Sequence, residues 1–212
     1  MFSSKVLDST FLPAKFSGPV SSTKIMILMH GIGDNKNSYV DIANELNQTC
    51  LDFLLVNAPK PYLFGFSWYD LPPGNPIEGI HNSIDLIEEL INELTAHGYK
   101  NEDIFIAGFS QGGCIAIHSF LKLKRKFAGV ICLSPRIYLE RMEYKHSDIL
   151  SETPIFIAHG QVDQAIPFKD VEQQTLTLLD DGLDIEWHEY HMGHEIDIEE
   201  IQHLRKWLIK HF

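Results

Sequence analysis

The sequence predicts an α/β fold: a mostly parallel central sheet with helices on both faces, built as a single domain over residues 1–212. Three observations predict it. Short apolar, β-branched runs alternate along the chain with amphipathic segments, the pattern of strands joined by crossover helices. Most of these runs are apolar at every position, as strands buried on both faces must be. The composition, 44% hydrophobic and 22% charged over 212 residues, suits one large core and excludes general disorder.

The expected strands are Ile25–Met29, Phe53–Val56, Ile104–Ala107, Val130–Leu133, Ile155–Ala158 and Ile185–Tyr190. Parallel strands cannot be joined by tight hairpins, so helices are expected between them. Tyr39–Leu46 reads as a short one. Ile77–Leu94 places Ile80, Ile84, Ile87, Ile91 and Leu94 at three- and four-residue steps, one apolar stripe. Cys114–Leu123, Phe168–Leu179 and Ile198–Ile209 complete the set. Val6–Pro13 is a candidate antiparallel edge strand. Pro59–Pro76 breaks the rhythm with five prolines, two glycines and five aromatic residues. Prolines forbid a helix or central strand there, and a loop this long in a compact domain is usually functional.

Charge and cysteine usage exclude several classes. Lys+Arg 17 against Asp+Glu 29 gives a net charge of −12, which repels nucleic acid and anionic lipid surfaces. The one basic run, Lys122–Lys126, reads as a solvated helix end. Cys50, Cys114 and Cys132 form no CxxC pair, so neither a zinc site nor a redox dithiol is expected. No stretch resembles a signal peptide or a membrane span, so the expected location is cytoplasmic. Oligomeric state is left open.

The chemistry lies in the turns after the strands. Strand Ile104–Ala107 runs into Gly108-Phe109-Ser110-Gln111-Gly112-Gly113 and then a helix, a GxSxG motif in strand–turn–helix context. Such a turn holds a serine in a strained conformation with its hydroxyl clear of the sheet. Side chains at 108 and 112 would collide with neighbouring backbone. A serine that merely caps a helix explains neither glycine. A serine nucleophile needs a base, and His188, His191 and His194 are the candidates. His194 is favoured because it lies in a loop after the last strand. A metal reading of the three histidines fails, since HExxH is absent and strand alternation separates His188 from His191. Asp163, in the loop after Ile155–Ala158, is the expected orienting carboxylate, against Asp170, Asp180, Asp181 and Asp184. The glycine-rich turn His30-Gly31-Ile32-Gly33-Asp34 offers backbone donors, so the N–H groups of Ile32 and Gln111 are the expected oxyanion hole. His30 is expected to lock that turn rather than act as a base. All these loops follow strands, and an open parallel sheet gathers its ligands at the C-terminal strand ends.

With these motifs in place, and with Leu133-Ser134, His159-Gly160-Gln161-Val162-Asp163 and Met192-Gly193-His194-Glu195 beside them, the chain from about Lys24 resembles the phospholipase/carboxylesterase family of α/β-hydrolases. The resemblance implies Ser110 as nucleophile, His194 as base and Asp163 as orienter. It also implies hydrolysis of carboxylic esters or thioesters without a cofactor. Asn35-Lys36-Asn37-Ser38-Tyr39 and Pro135-Arg136-Ile137-Tyr138 depart from the family pattern. The expected activity is cleavage of a small acyl ester or lipid-like substrate. Alternatives are a lysophospholipase, an acyl-protein thioesterase, or a hydrolase-like binding protein that has lost catalysis. Leu63, Phe64 and Trp68 of the aromatic loop are the expected substrate-binding residues, on a flap or on a loop packed permanently against the core.

Overall fold

The computed structural model describes residues 2–14, 24–46 and 51–212. Cys50 lies outside them. Seven strands form one sheet in the order β1-β3-β2-β6-β7-β8-β9. They are β1 (Ser9–Leu12), β2 (Lys24–Met29), β3 (Leu51–Val56), β6 (Ile104–Phe109), β7 (Gly129–Leu133), β8 (Ile155–Gly160) and β9 (Ile185–Tyr190). β1 pairs antiparallel with β3, Ser9 opposite Val56, and is the expected edge strand. The remaining pairs are parallel.

The helices are α1 (Val40–Leu46), α2 (Pro76–Ala96), α3 (Gln111–Leu123), α4 (Phe168–Asp180) and α5 (Ile198–Lys210). Strand alternation sends side chains to two cores. Ile25, Ile27, Ile104, Ile106, Val130 and Ile155 pack on one face with α2, α3 and α4. Met26, Leu28, Phe105, Ile131 and Phe156 pack on the other with α1 and α5. Among the described residues no helix is long and apolar enough to cross a membrane.

One detail differs from the sequence expectations. Pro59–Pro76 contains a small hairpin, β4 (Lys60–Tyr62) paired with β5 (Gly65–Ser67), outside the main sheet. Prolines are tolerated there because no neighbouring strand needs their missing N–H. The basic run closes α3 as a solvated helix end, as expected, with Lys122 paired to Asp85, Arg125 to Glu88 and Lys126 to Glu152.

From β2 the chain adds β3 on one side and later β6 on the other. The strand order reverses there, which opens a crevice beyond the carboxyl ends of β2 and β6. The turn after β2 and the turn after β6 flank it.

Candidate active site

β6 ends at Phe109 and α3 begins at Gln111, so Ser110 alone makes the turn. Its backbone has φ 54° and ψ −115°, a strained conformation for a residue with a side chain. Its N–H donates to Leu133 O at 2.8 Å, and its carbonyl accepts from Cys114 N–H at 3.0 Å. A Cβ on Gly108 would stand 2.2 Å from the Gly112 carbonyl carbon, and one on Gly112 would stand 2.2 Å from Met29 O. The two glycines therefore let α3 start directly beneath β6 and against the end of β2.

The Ser110 hydroxyl lies 2.8 Å from His194 Nε2. His194 Nδ1 lies 2.7 Å from Asp163 Oδ2. The carboxylate fixes the proton on Nδ1 and leaves Nε2 free to accept the Ser110 hydrogen bond. Phe109 packs on the imidazole, ring centres 4.9 Å apart. Neither other histidine competes: His188 Nε2 is engaged by Glu186 at 2.9 Å, and His191 is exposed.

Asp163 sits in a turn that supports its charge. Oδ1 accepts the N–H groups of Ala165 at 2.8 Å and Ile166 at 2.9 Å. Burial of the carboxyl opposes ionisation, but the Ile166 N–H, the His194 ring and the Ala165 N–H outweigh it and hold its pKa below the ordinary value. Buried His159 stands behind it, with Nε2 2.9 Å from Ile166 O and 3.4 Å from Asp163 Oδ2. The ring donates one N–H between those oxygens. Burial pushes its pKa down, so it serves as a neutral donor.

The turn after β2 is pinned from several sides. His30 is fully buried; its Nε2 accepts from Ala58 N–H at 3.0 Å and its Nδ1 donates to Gly31 O at 2.6 Å. Its pKa is lowered, by burial above all, so the ring is a neutral lock. Gly33 N–H donates to Phe66 O at 2.8 Å, and Phe66 N–H donates to Asp34 O at 2.9 Å, tying the β4–β5 hairpin to the turn. Among the described residues the Ile32 N–H has no hydrogen-bond partner. The Gln111 N–H opens α3, where first-turn donors have no intrahelical acceptor.

Trp68 corrects an expectation. It is 0% exposed, its indole N–H donates to His30 O at 2.9 Å, and its backbone N–H donates to Gln111 Oε1 at 2.9 Å. It belongs to the core under α2 and presents no surface to a substrate. Leu63 and Phe64 stand at the hairpin tip, 82% and fully exposed. The segment thus has a packed base and a free tip, where the sequence offered a flap or a packed loop as alternatives.

Sequence reasoning missed the Gln111 side chain. It accepts from Trp68 N–H and Ser67 Oγ–H and donates to Tyr69 O at 2.9 Å. A polar residue directly after the turn serine, in a chain with a long aromatic loop, was the available signal. Among the described residues no group of three or more His, Cys, Asp or Glu side chains could hold a metal.

The sequence profile of the Phospholipase/Carboxylesterase family matches residues 16–212. Acyl-protein thioesterase 1 of Yarrowia lipolytica is 30% identical over 220 residues, covering 93% of this chain and 94% of that protein. Acyl-protein thioesterase 1 of Emericella nidulans is 30% identical over 213 residues, covering 88% and 89%. Among solved structures, esterase PE8 superposes with TM-score 0.86 at 24% identity, covering 97% of this chain and 99% of that one. The Bacillus cereus carboxylesterase does so with TM-score 0.84 at 18% identity, covering 98% and 96%. These two show a shared fold. The sequence match and relatives give the assignment: the chain is a hydrolase and belongs to the phospholipase/carboxylesterase family of α/β-hydrolases.

Proposed function

We propose that this hydrolase cleaves carboxylic acyl esters through an acyl-enzyme on Ser110. The observation that carries this reading is the continuous hydrogen-bonded chain Ser110–His194–Asp163 at 2.8 and 2.7 Å. Ser110 Oγ attacks the acyl carbon while its proton passes to His194 Nε2. Asp163 holds the imidazolium through Nδ1–H. Charge moves to the former carbonyl oxygen, toward the N–H groups of Ile32 and Gln111, and each such donor is typically worth about 2.7–4 kcal/mol. The C–O bond to the leaving group then breaks, and His194 returns the proton to the departing oxygen. Water, deprotonated by His194, attacks the acyl carbon, releases the acid and restores the serine.

The same steps cleave a thioester, with a thiolate as leaving group. The fungal relatives named acyl-protein thioesterase favour this second reading of the substrate. Comparison of kcat/KM for an ester and a thioester with the same acyl chain separates the two. Ser110→Ala is expected to unfold at the wild-type temperature and to lose nearly all hydrolysis. Asp163→Asn is expected to lose orders of magnitude in kcat by admitting the wrong imidazole tautomer. Full turnover by a folded Ser110→Ala protein would refute the nucleophile, and Asp163→Asn within about twofold of wild type would require another carboxylate.

A further inference from the structure

The two oxygens of Asp163 have different neighbours. Oδ1 accepts backbone N–H groups from Ala165 and Ile166. Oδ2 faces His194 Nδ1 at 2.7 Å and has His159 Nε2 at 3.4 Å. The oxygen that holds one imidazole thus has a second imidazole behind it. The side chains of His159 and Asp163 are both fully buried.

His159 offers one proton to this end of the carboxylate. Its Nε2 lies 2.9 Å from Ile166 O, which can only accept, so the proton of the neutral ring is on Nε2. Nδ1 is then a bare acceptor, and among the described residues it has no hydrogen-bond partner. A buried ring nitrogen left unpaired costs stability that an apolar ring would not lose. The polar contribution of His159 is therefore its Nε2–H alone. That N–H meets the Asp163 turn twice: at Ile166 O, on the residue whose own N–H holds Oδ1, and beside Oδ2 itself. The strand end is fixed from the other side as well. A Cβ on Gly160 would stand 2.3 Å from Gly193 O, so β8 closes directly on the loop that carries His194.

We propose that His159 is a positioning residue for hydrolysis: its Nε2–H shares Asp163 Oδ2 with His194 and limits how firmly that carboxylate holds the imidazolium. This role rests on Ser110, His194 and Asp163 acting as proposed, and adds a control on the base. Without the second donor, Oδ2 would direct more of its charge to His194 Nδ1–H. The imidazolium would be more stable, would give its proton to the leaving group less readily and would lose it only at higher pH. The other charged or titratable groups around the pair are Arg136, with Nη2 3.4 Å from Ala165 O, and Asp170 beyond it at 3.9 Å. Glu189 stands opposite His159 on β9 and accepts from Gln161 Nε2 at 2.9 Å. Glu195 accepts Gly193 N–H at 3.4 Å, and exposed His191 precedes His194 by three residues. All of these stay in place when His159 alone is changed.

The test compares His159→Phe with His159→Gln in the full chain. Phenylalanine keeps a ring and loses the donor; glutamine places an amide N–H near the position of Nε2. In His159→Phe the acid limb of kcat/KM should move up by roughly half a pH unit, and kcat should fall about three- to tenfold with KM unchanged. His159→Gln should recover most of both. A change in melting temperature alone, with the wild-type acid limb and kcat, would assign His159 to the fold and overturn the proposal. So would equal losses in the two variants. The wild-type protein gives a reading free of any substitution. With ¹⁵N-labelled histidine, the His159 Nε2–H resonance should shift over the same pH range as the acid limb, while Nδ1 keeps the signature of an unprotonated nitrogen. A resonance fixed across that range, or a proton found on Nδ1, overturns the proposal. Failure of the Ser110 reading looks different: Ser110→Ala would keep its turnover.

Discussion

Trp68 and Phe64 are close neighbours in one aromatic segment, yet one is fully buried and the other fully exposed. The base of the hairpin is held by hydrogen bonds from both the Ser110 turn and the turn after β2. Gln111 receives Trp68 N–H, His30 O receives the indole N–H, and Ser83 Oγ–H donates to Trp68 O at 2.7 Å. At the tip, Leu63 holds φ 51° and offers its side chain to solvent. Aromatic character in a loop therefore carries two different meanings here. At the base it links the two turns that shape the crevice; at the tip it is apolar area available for contact.

The largest expected effect tests the base. Trp68→Ala removes a core side chain and orphans His30 O, so it should cost about 3–5 kcal/mol in denaturant unfolding. It should also depress hydrolysis of every acyl length alike. An unchanged unfolding midpoint with an altered chain-length preference would place Trp68 in the acyl-binding wall after all.

A second test contrasts satisfied burial at the base with unsatisfied burial at α5. Glu200 is 0% exposed; Oε2 accepts Asp197 N–H at 3.3 Å in the helix capping box, and Oε1 has no hydrogen-bond partner among the described residues. Burial pushes its pKa up to about 8. The folded state therefore prefers the protonated acid, and the stability this contributes is lost as pH rises from about 4.5 to about 8. Glu200→Gln keeps the capping geometry without the charge. Its melting temperature should exceed wild type above that window, by roughly 2–4 °C per kcal/mol recovered, and the excess should shrink toward about pH 4. An equal difference at both ends of the range would show that ionisation of Glu200 is not the cause.

The smallest expected effect tests the tip. Leu63→Ala and Phe64→Ala should leave stability within about 0.5 kcal/mol, because exposed side chains lose little on truncation. If the tip touches the acyl chain, each methylene contributes at most about 0.8 kcal/mol, and the two variants should flatten the rise of activity with chain length. Unchanged selectivity would leave the tip without a part in substrate binding.

Much of this was legible in the sequence, and the exceptions have physical causes. Buried parallel strands announce themselves because both faces must be apolar, so Ile104–Ala107 and Ile155–Ala158 fall inside the observed β6 and β8. The edge strand β1 also lies within Val6–Pro13. The first turn of α3 was not expected, because Gly112 and Gly113 weaken a helical pattern even where close approach requires them. The β4–β5 hairpin was hidden by Pro61, which interrupts strand alternation. The burial of Trp68 was invisible because it depends on His30 O and Gln111 Oε1, groups distant in sequence. By contrast, the approach of His194 to Ser110 was readable, since a loop after β9 opens on the same sheet edge as the turn after β6.

The central claim is that Ser110 accepts the acyl group because His194 and Asp163 activate it. The most direct measurement is labelling with a fluorophosphonate probe followed by peptide mass mapping. One adduct is expected, on Ser110, with labelling nearly abolished in His194→Ala. An adduct on any other residue, or undiminished labelling of Ser110 without His194, would contradict the account.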